Sequence, residues 1–482
     1  MPRTQVQDLL ELLGDKERRR VLKSLAQNPH HSPALRATCK WLIDHLPEIL
    51  HADDLLPRLT ATGRKPEYLK NLLSDLTEQL RAYLVEQEEI RNPVRKQLLL
   101  LEGMLRRNAP MNVFLREWRK TERRLHKASA ASIRGLQHRT QLMRLLYEAQ
   151  SVLQHRKRGQ SKHSDLPPIP LRTAIEALDR HYLVQRGHWQ LEWHSRQKIT
   201  PDGSAAPGIL DFDAVIKEAE WPEVEPVLGP LIAGNYRLLQ SGEGYWQLKA
   251  RLLATPPAPN EHLNYCQYLQ NHCIIEMNRG QRSTFLPEYL FWVDHRAQAN
   301  ILLHQDQISH AELKNYITCC LLLAPPDTAR AHTFLRRFGP HLEPTYRAEA
   351  TAFNQAIIHY YETDYSRALR LLRTASFADP FTKADVRMLE LRILYDNEDW
   401  TALELALKNA KQYFKRTTGK SAFNPRKLQS INASLRFLDQ IHRTPASKPH
   451  KLASIAQNLA AARSVVNRNW LTAKLKEKLR AI

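Results

Sequence analysis

The sequence predicts an all-α protein, with helical hairpins stacked into an array behind a separate N-terminal helical region. Three observations carry that expectation. Glycine is scarce, 15 in 482 residues, and so are alternating strand runs closed by Asn-Gly or Asp-Gly turns. Apolar residues recur instead at helical spacing. Between Thr351 and Phe381, two short periodic stretches fold against each other and are closed by a proline. The length suits roughly three domains, or one elongated array in which each helix pair meets only its neighbours.

From the N-terminus, a helix is expected from Asp15 through Ala26. Ser32 and Pro33 supply the N-cap and first turn of a second, running to Leu46. Pro66 opens a longer helix, along which Leu69, Leu72, Leu73, Leu76, Leu80 and Leu84 form a seam. Helices of this size suit a helix-turn-helix module, but residues 1–90 are not strongly basic and no recognition helix stands out. Val113 to His155 reads as one long helix, or as two broken near Ser129 to Ser132, with Phe114, Trp118, Leu125, Leu142 and Leu145 on its apolar face. A polar, basic, proline-ended linker follows at 156–170. The helix from Leu171 carries Ala174, Leu178, Tyr182 and Leu191, with Trp189 and Trp193 nearby. Loops rich in proline or small polar residues at 199–208, 254–260 and 324–328 punctuate the helices beyond. Composition thus divides the chain into an N-terminal helical region (1–90), a basic long-helix connector and linker (91–170) and a C-terminal array (171–482).

The hairpin at 351–381 is the most informative stretch. Ala352, Ala356, Ile357 and Tyr360 follow helical spacing, Thr363 and Asp364 interrupt it, and Tyr365, Ala368, Leu369, Leu372 and Ala375 resume it until Pro380. Ala356 and Ala368 let two backbones approach closely. A second unit places Leu391, Leu394 and Tyr395 before a break at Asn397 to Asp399, then Trp400, Leu403, Leu407 and Ala410. Aligning Tyr365 with Trp400 gives a period of 35 residues. Over about 350–416 the pattern resembles the tetratricopeptide repeat, whose period is about 34 residues. Ala356, Ala368, Leu372, Ala375 and Pro380 fit that pattern, whereas Ala352 and Gln355 replace its early Trp and Leu, and His359 stands at its first-helix Tyr position. The resemblance implies a non-catalytic scaffold that grips a protein or peptide in a groove, with Asn354, Tyr361, Arg367 and Arg370 as contacts and an acidic partner.

Charge supplies a second line of reasoning. The chain carries a formal net charge of +21. Residues 91–165 hold 18 Lys and Arg against 5 Asp and Glu, residues 407–482 hold 17 against 2, and the remainder is net acidic. Basicity concentrated in this way attracts polyanions. Arg116, Lys120, Arg123, Lys127 and Arg134 recur at spacings of three, four and seven and share one helix face, with Arg124 beside them. Nucleic-acid phosphates are therefore the alternative partner. The basic, amphipathic end of the chain, with Trp470, Leu471, Leu475 and Leu479 on one side, suits a membrane surface, a partner, or a cap on the array.

No catalytic constellation or cofactor motif is legible. Thr417 to Ser421 ends like a phosphate loop, but Phe414 stands where the first glycine belongs; Gly242-Glu243-Gly244 is a turn. His262, Cys266, His272 and Cys273 come nearest to a metal cluster, yet His272 points away from the face the others share, and no metal is assigned. His51 with Asp53 and Asp54, and Asp294 with His295, read as surface clusters; Cys319 and Cys320 read as packing. Five cysteines in an odd set suit a reducing compartment, and no apolar run approaches a membrane span of about 20 residues, so a cytoplasmic protein is expected.

Overall fold

The structure, a computed structural model, describes all residues except 1–4, 28–31, 47–65, 129–130, 158–170, 200–213, 215–219, 375–379, 418–424, 463 and 481–482. Among the described residues it is all-α: there is no strand, only an isolated bridge between His304 and Gln307. The chain gathers into two units, Met1–Tyr236 and Arg237–Ile482.

In the first unit, α1 (Gln5–Glu11), α2 (Asp15–Gln27), α3 (Pro33–Asp44) and α4 (Pro66–Arg91) enclose one core that includes Leu10, Val21, Leu35, Leu42, Leu76 and Leu80. Ser32 caps α3 as its sequence requires, its Oγ accepting from the Leu35 N–H at 3.2 Å. Of the α4 seam, Leu72, Leu76 and Leu80 are buried and Leu73 and Leu84 half-buried, while the Leu69 side chain lies outside the described residues.

Helices α5 (Pro93–Arg106), α6 (Met111–Ala128), α7 (Ile133–Lys157) and α8 (Leu171–Ile199) share a second core around Leu101, Phe114, Trp118, Leu142 and Ala177. The stretch 113–155 is therefore two helices. Ser132 starts the second by accepting from the Gly135 N–H at 2.9 Å. The indole of Trp118 donates to the Leu142 carbonyl at 3.0 Å, and Thr140 donates to the Ala177 carbonyl at 2.9 Å, tying α6 and α8 to α7.

Apart from the single turn Trp221–Val224, the chain continues as α9 (Leu228–Ser241), α10 (Tyr245–Ala254), α11 (Pro259–Asn278), α12 (Arg282–Gln298), α13 (His310–Leu321), α14 (Thr328–Phe338), α15 (Pro344–Tyr361), α16 (Tyr365–Thr374), α17 (Pro380–Asp396), α18 (Trp400–Thr417), α19 (Pro425–Arg443), α20 (Pro449–Ala461) and α21 (Arg468–Arg480). From α10 onward, the main packing partners of each helix are the next helix and the next but one, as in a stack of hairpins. Ala356 and Ala368 are fully buried where α15 meets α16.

The hairpin turns repeat as well. Thr363 (φ 61°) and Glu398 (φ 56°) adopt the left-handed conformation, and the N–H groups of Asp364 and Asp399 reach back to the carbonyls of His359 and Leu394 at 2.9 and 3.0 Å. The two aspartates then cap α16 and α18, accepting from Arg367 N–H at 3.0 Å and Ala402 N–H at 3.1 Å. Gly280 (φ 102°) ends α11 in the same way.

The final helix closes this array. Leu471 and Leu475 are buried, Trp470 Nε1 donates to Asp396 Oδ2 at 3.0 Å, and Lys478 Nζ donates to the Ile441 and His442 carbonyls at 2.8 and 3.2 Å. Its apolar stripe is thus spent on packing.

Candidate functional site

The predicted groove residues are not brought to one surface. Asn354 is fully buried in α15, its Nδ2 donating to the Ala350 carbonyl at 2.7 Å, so it packs inside the hairpin and has no face to offer a partner. Tyr361 is half-buried against Tyr360, with ring centroids 5.3 Å apart. Arg367 and Arg370 are exposed and, three residues apart on α16, share one face.

A different surface emerges on α8. Ala177, Val184 and Leu191, seven residues apart, are buried on its inner side. On the opposite side Leu171, Ile175, Leu178, Tyr182 and Trp189 are 46 to 59% exposed. Their spacings of four, three, four and seven keep them within a narrow stripe, the a/d pattern of a coiled-coil seam with Gln185 at the missing position. At 1.5 Å per residue the stripe runs about 27 Å. Arg172 is paired along the helix with Glu176 at 2.9 Å. Periodicity revealed the helix, but it cannot say which of two apolar faces a protein buries.

The basic residues fall into separate groups. Arg116, Lys120, Arg123 and Arg124 are exposed on α6; the Lys127 side chain lies outside the described residues. Glu117 intrudes on this face, accepting from Gln97 at 2.7 Å and Lys120 at 3.4 Å, with Arg116 at 3.9 Å. The hydrogen bond from Gln97, aided by the two cations, holds its carboxyl below the usual range. Arg134, on α7, instead lines a polar cleft of about 430 Å³ with Arg95, Asn92, Gln137, His138 and Glu88. Burial, then Arg134 and Arg95, push the His138 imidazole below its ordinary value, which favours the neutral ring. Toward the C-terminus, Lys411 is engaged by Asp439 at 2.8 Å, and Lys474 by Asp396 at 3.0 Å and Glu477 at 2.8 Å.

A side-chain cluster with metal-ligand chemistry lies between α11 and α12. His262 and Cys266, one turn apart on α11, are buried, and His295 of α12 faces them, with the two Nε2 atoms 2.9 Å apart. One donor atom from each of the three residues falls within 4.8 Å of the others. The third member is therefore His295, not His272, whose ring stacks on Tyr245 at 5.5 Å. Cys273 donates to the Tyr245 hydroxyl at 3.4 Å. Burial, joined at His262 by the neighbouring imidazole, lowers the pKa of both histidines, while burial pushes the Cys266 thiol up to about 12. A second triad joins His332 of α14 to Glu362, which also accepts from His359, both at 2.9 Å.

Asp294 and His295, expected on the surface, are engaged inside the stack. Asp294 accepts from the Tyr316 hydroxyl at 2.6 Å and from Arg330. Cys319 and Cys320 are buried, as expected of packing residues. Gly242 and Gly244 have φ of 78° and 87° and form a turn. Residues 418–421 of the phosphate-loop-like run, and His51, Asp53 and Asp54, lie outside the described residues.

Among the described residues no helix is long and apolar enough to cross a membrane. Comparison of the chain with protein families, with curated proteins and with solved structures gives no match.

Proposed function

We propose that this chain is a non-catalytic scaffold, a tetratricopeptide-like array joined to a helical N-terminal unit, that docks a partner protein. The observation that carries the reading is the α8 stripe of Leu171, Ile175, Leu178, Tyr182 and Trp189, exposed along one helix face and interrupted by Gln185. An apolar stripe along one exposed helix face marks an interaction site more often than scattered apolar residues do. Its a/d spacing selects the partner's chemistry: an amphipathic helix with a complementary apolar face. Arg367 and Arg370 offer a second contact, suited to acidic side chains.

The test is Leu178→Glu with Tyr182→Glu, read by photocrosslinking from position 175 and by sedimentation equilibrium of the purified protein. Each buried apolar side chain contributes about 1.5–3 kcal/mol, so the pair should weaken helix docking at least tenfold per residue. Crosslinks and association unchanged by the pair, with helicity retained, would sink this reading.

A second reading follows from the cleft that Arg95 and Arg134 share with the polar side chains of Asn92 and Gln137. It is a nucleic-acid contact through phosphates, extended by Arg116, Lys120, Arg123 and Arg124 on α6. Titrating RNA and DNA binding with salt distinguishes it: affinity should fall steeply with salt in the wild type, and the slope should shrink when Arg116, Lys120 and Arg123 become Glu. Binding that is absent at moderate salt, or insensitive to salt, discards it.

A further inference from the structure

We propose that His262, Cys266 and His295 form a zinc site with three protein ligands and an open fourth position, held between α11 and α12. Two histidines and one cysteine are a ligand set that zinc favours among common biological metals. Backbone geometry supplies the placement. His262 and Cys266 are four residues apart and so project from one side of α11, while α12 packs against that side and presents His295.

The spacing is close to what a bound ion requires. Zinc bonds of about 2.0–2.1 Å to nitrogen and 2.3 Å to sulfur, at tetrahedral angles, put ligand atoms about 3.3–3.6 Å apart. The two imidazole nitrogens stand 2.9 Å apart, and all three donors lie within 4.8 Å of one another. Admitting the ion thus needs small side-chain rotations and no movement of either helix. Without an ion, one of the two facing imidazole nitrogens must carry the proton that the other accepts.

The surroundings suit a charged centre. Arg296, the next residue after His295, is buried, donates to Gln270 at 2.8 Å and is paired with Glu312 of α13, so its side chain is fixed. Among the described residues no fourth His, Cys, Asp or Glu completes the set. His262 and Cys266 are buried and His295 is half-buried, the most accessible of the three. Three protein ligands with one open position characterise zinc centres that bind water or a small anion, in contrast to closed structural sites with four.

The test uses the full-length protein, stripped with chelator and titrated with zinc, then with cobalt as a spectroscopic substitute. One equivalent should bind, and the cobalt form should show tetrahedral d–d absorption with a thiolate-to-cobalt charge-transfer band. Cys266→Ser should abolish that band and weaken zinc binding at least tenfold, while Cys273→Ser, two turns further along α11 and bonded to Tyr245, and His332→Ala, in the other histidine cluster, should leave both intact. Because Cys266 is buried, the half-buried His295→Gln serves as a second variant that keeps the fold readable by circular dichroism. No metal bound by the folded wild type, a cobalt spectrum without thiolate charge transfer, or binding that survives both Cys266→Ser and His295→Gln would overturn the proposal.

Discussion

Thr363 holds a left-handed backbone with φ of 61°, a conformation in which a β-branched side chain crowds its own carbonyl. Its hydroxyl offsets part of that cost by donating to the Glu362 carbonyl at 2.6 Å. Thr363→Gly should therefore raise stability by about 0.5–1 kcal/mol, net of the entropy that glycine adds to the unfolded chain, as measured by urea denaturation. An unchanged or lower midpoint would mean that the hydroxyl contact outweighs the strain. Asn354 poses the opposite case, a polar side chain packed where its Oδ1 finds no protein partner. Asn354→Asp should destabilise by about 2–4 kcal/mol, because it buries a carboxylate, whereas Asn354→Leu should cost under about 1 kcal/mol. A true groove contact would show the reverse, with stability unmoved and partner binding lost. The turn at Thr363 and Asp364 was legible because two poor helix formers interrupt a strong period. The burial of Asn354 was not, since an asparagine that bonds the carbonyl four residues back has no signature in sequence.

Helices were the most legible level, and contacts between them the least. The break before Ile133, the cap at Ser32 and the start at Pro66 all follow from local chemistry that acts within one turn, whereas Pro380, read as the close of a hairpin, opens α17. His295 meets His262 across two helices and 33 residues, beyond any spacing rule, and the outward face of α8 has the same periodicity as a buried one. Arg296 belongs to the same class of unseen contacts. It is almost fully buried and is neutralised by Glu312 from the next helix. Glu312→Gln leaves that charge without its counter-ion and should cost about 3 kcal/mol, more than Arg296→Met, which removes the charge altogether. Equal losses in denaturation midpoints would show that packing, not charge, dominates there. A different pairing sets the pH response between α18 and α19. Burial alone would raise the Asp439 pKa, but Lys411 and Arg443, both at 2.8 Å, outweigh it and hold the carboxyl below its ordinary value. The folded pKa is thus lower than the unfolded one, near 3.9. The pairing contributes fully above that value and is lost as pH falls through the folded pKa. Asp439→Asn should lower stability at neutral pH and flatten its decline below pH ~4, checked by denaturation across that window.

Across the second unit, the stacking of each helix mainly on its near neighbours makes stability a sum of hairpin and interface contributions, with the ends most exposed to fraying. The basic C-terminal helix, open in sequence to a membrane, partner or cap role, takes up the cap role: Leu471 and Leu475 fill the end of the core, and Trp470 and Lys474 hook onto Asp396 of α17. Charge patterning alone could not distinguish these roles, because Lys474 and Lys478 read as solvated cations until their partners are seen. The cap has a graded consequence. Leu471→Ala with Leu475→Ala removes two fully buried side chains at about 2–5 kcal/mol each, which is comparable to the whole stability of a terminal hairpin. Amide protection by hydrogen exchange should then fall most in α19 and α20, less in α17 and α18, and least in α13 and α14, because each interface passes on only part of the loss to the next. The first unit should keep its wild-type protection. A uniform loss from Arg237 to Ile482 would instead identify a single cooperative domain, in which α21 is a core element and not a terminal cap.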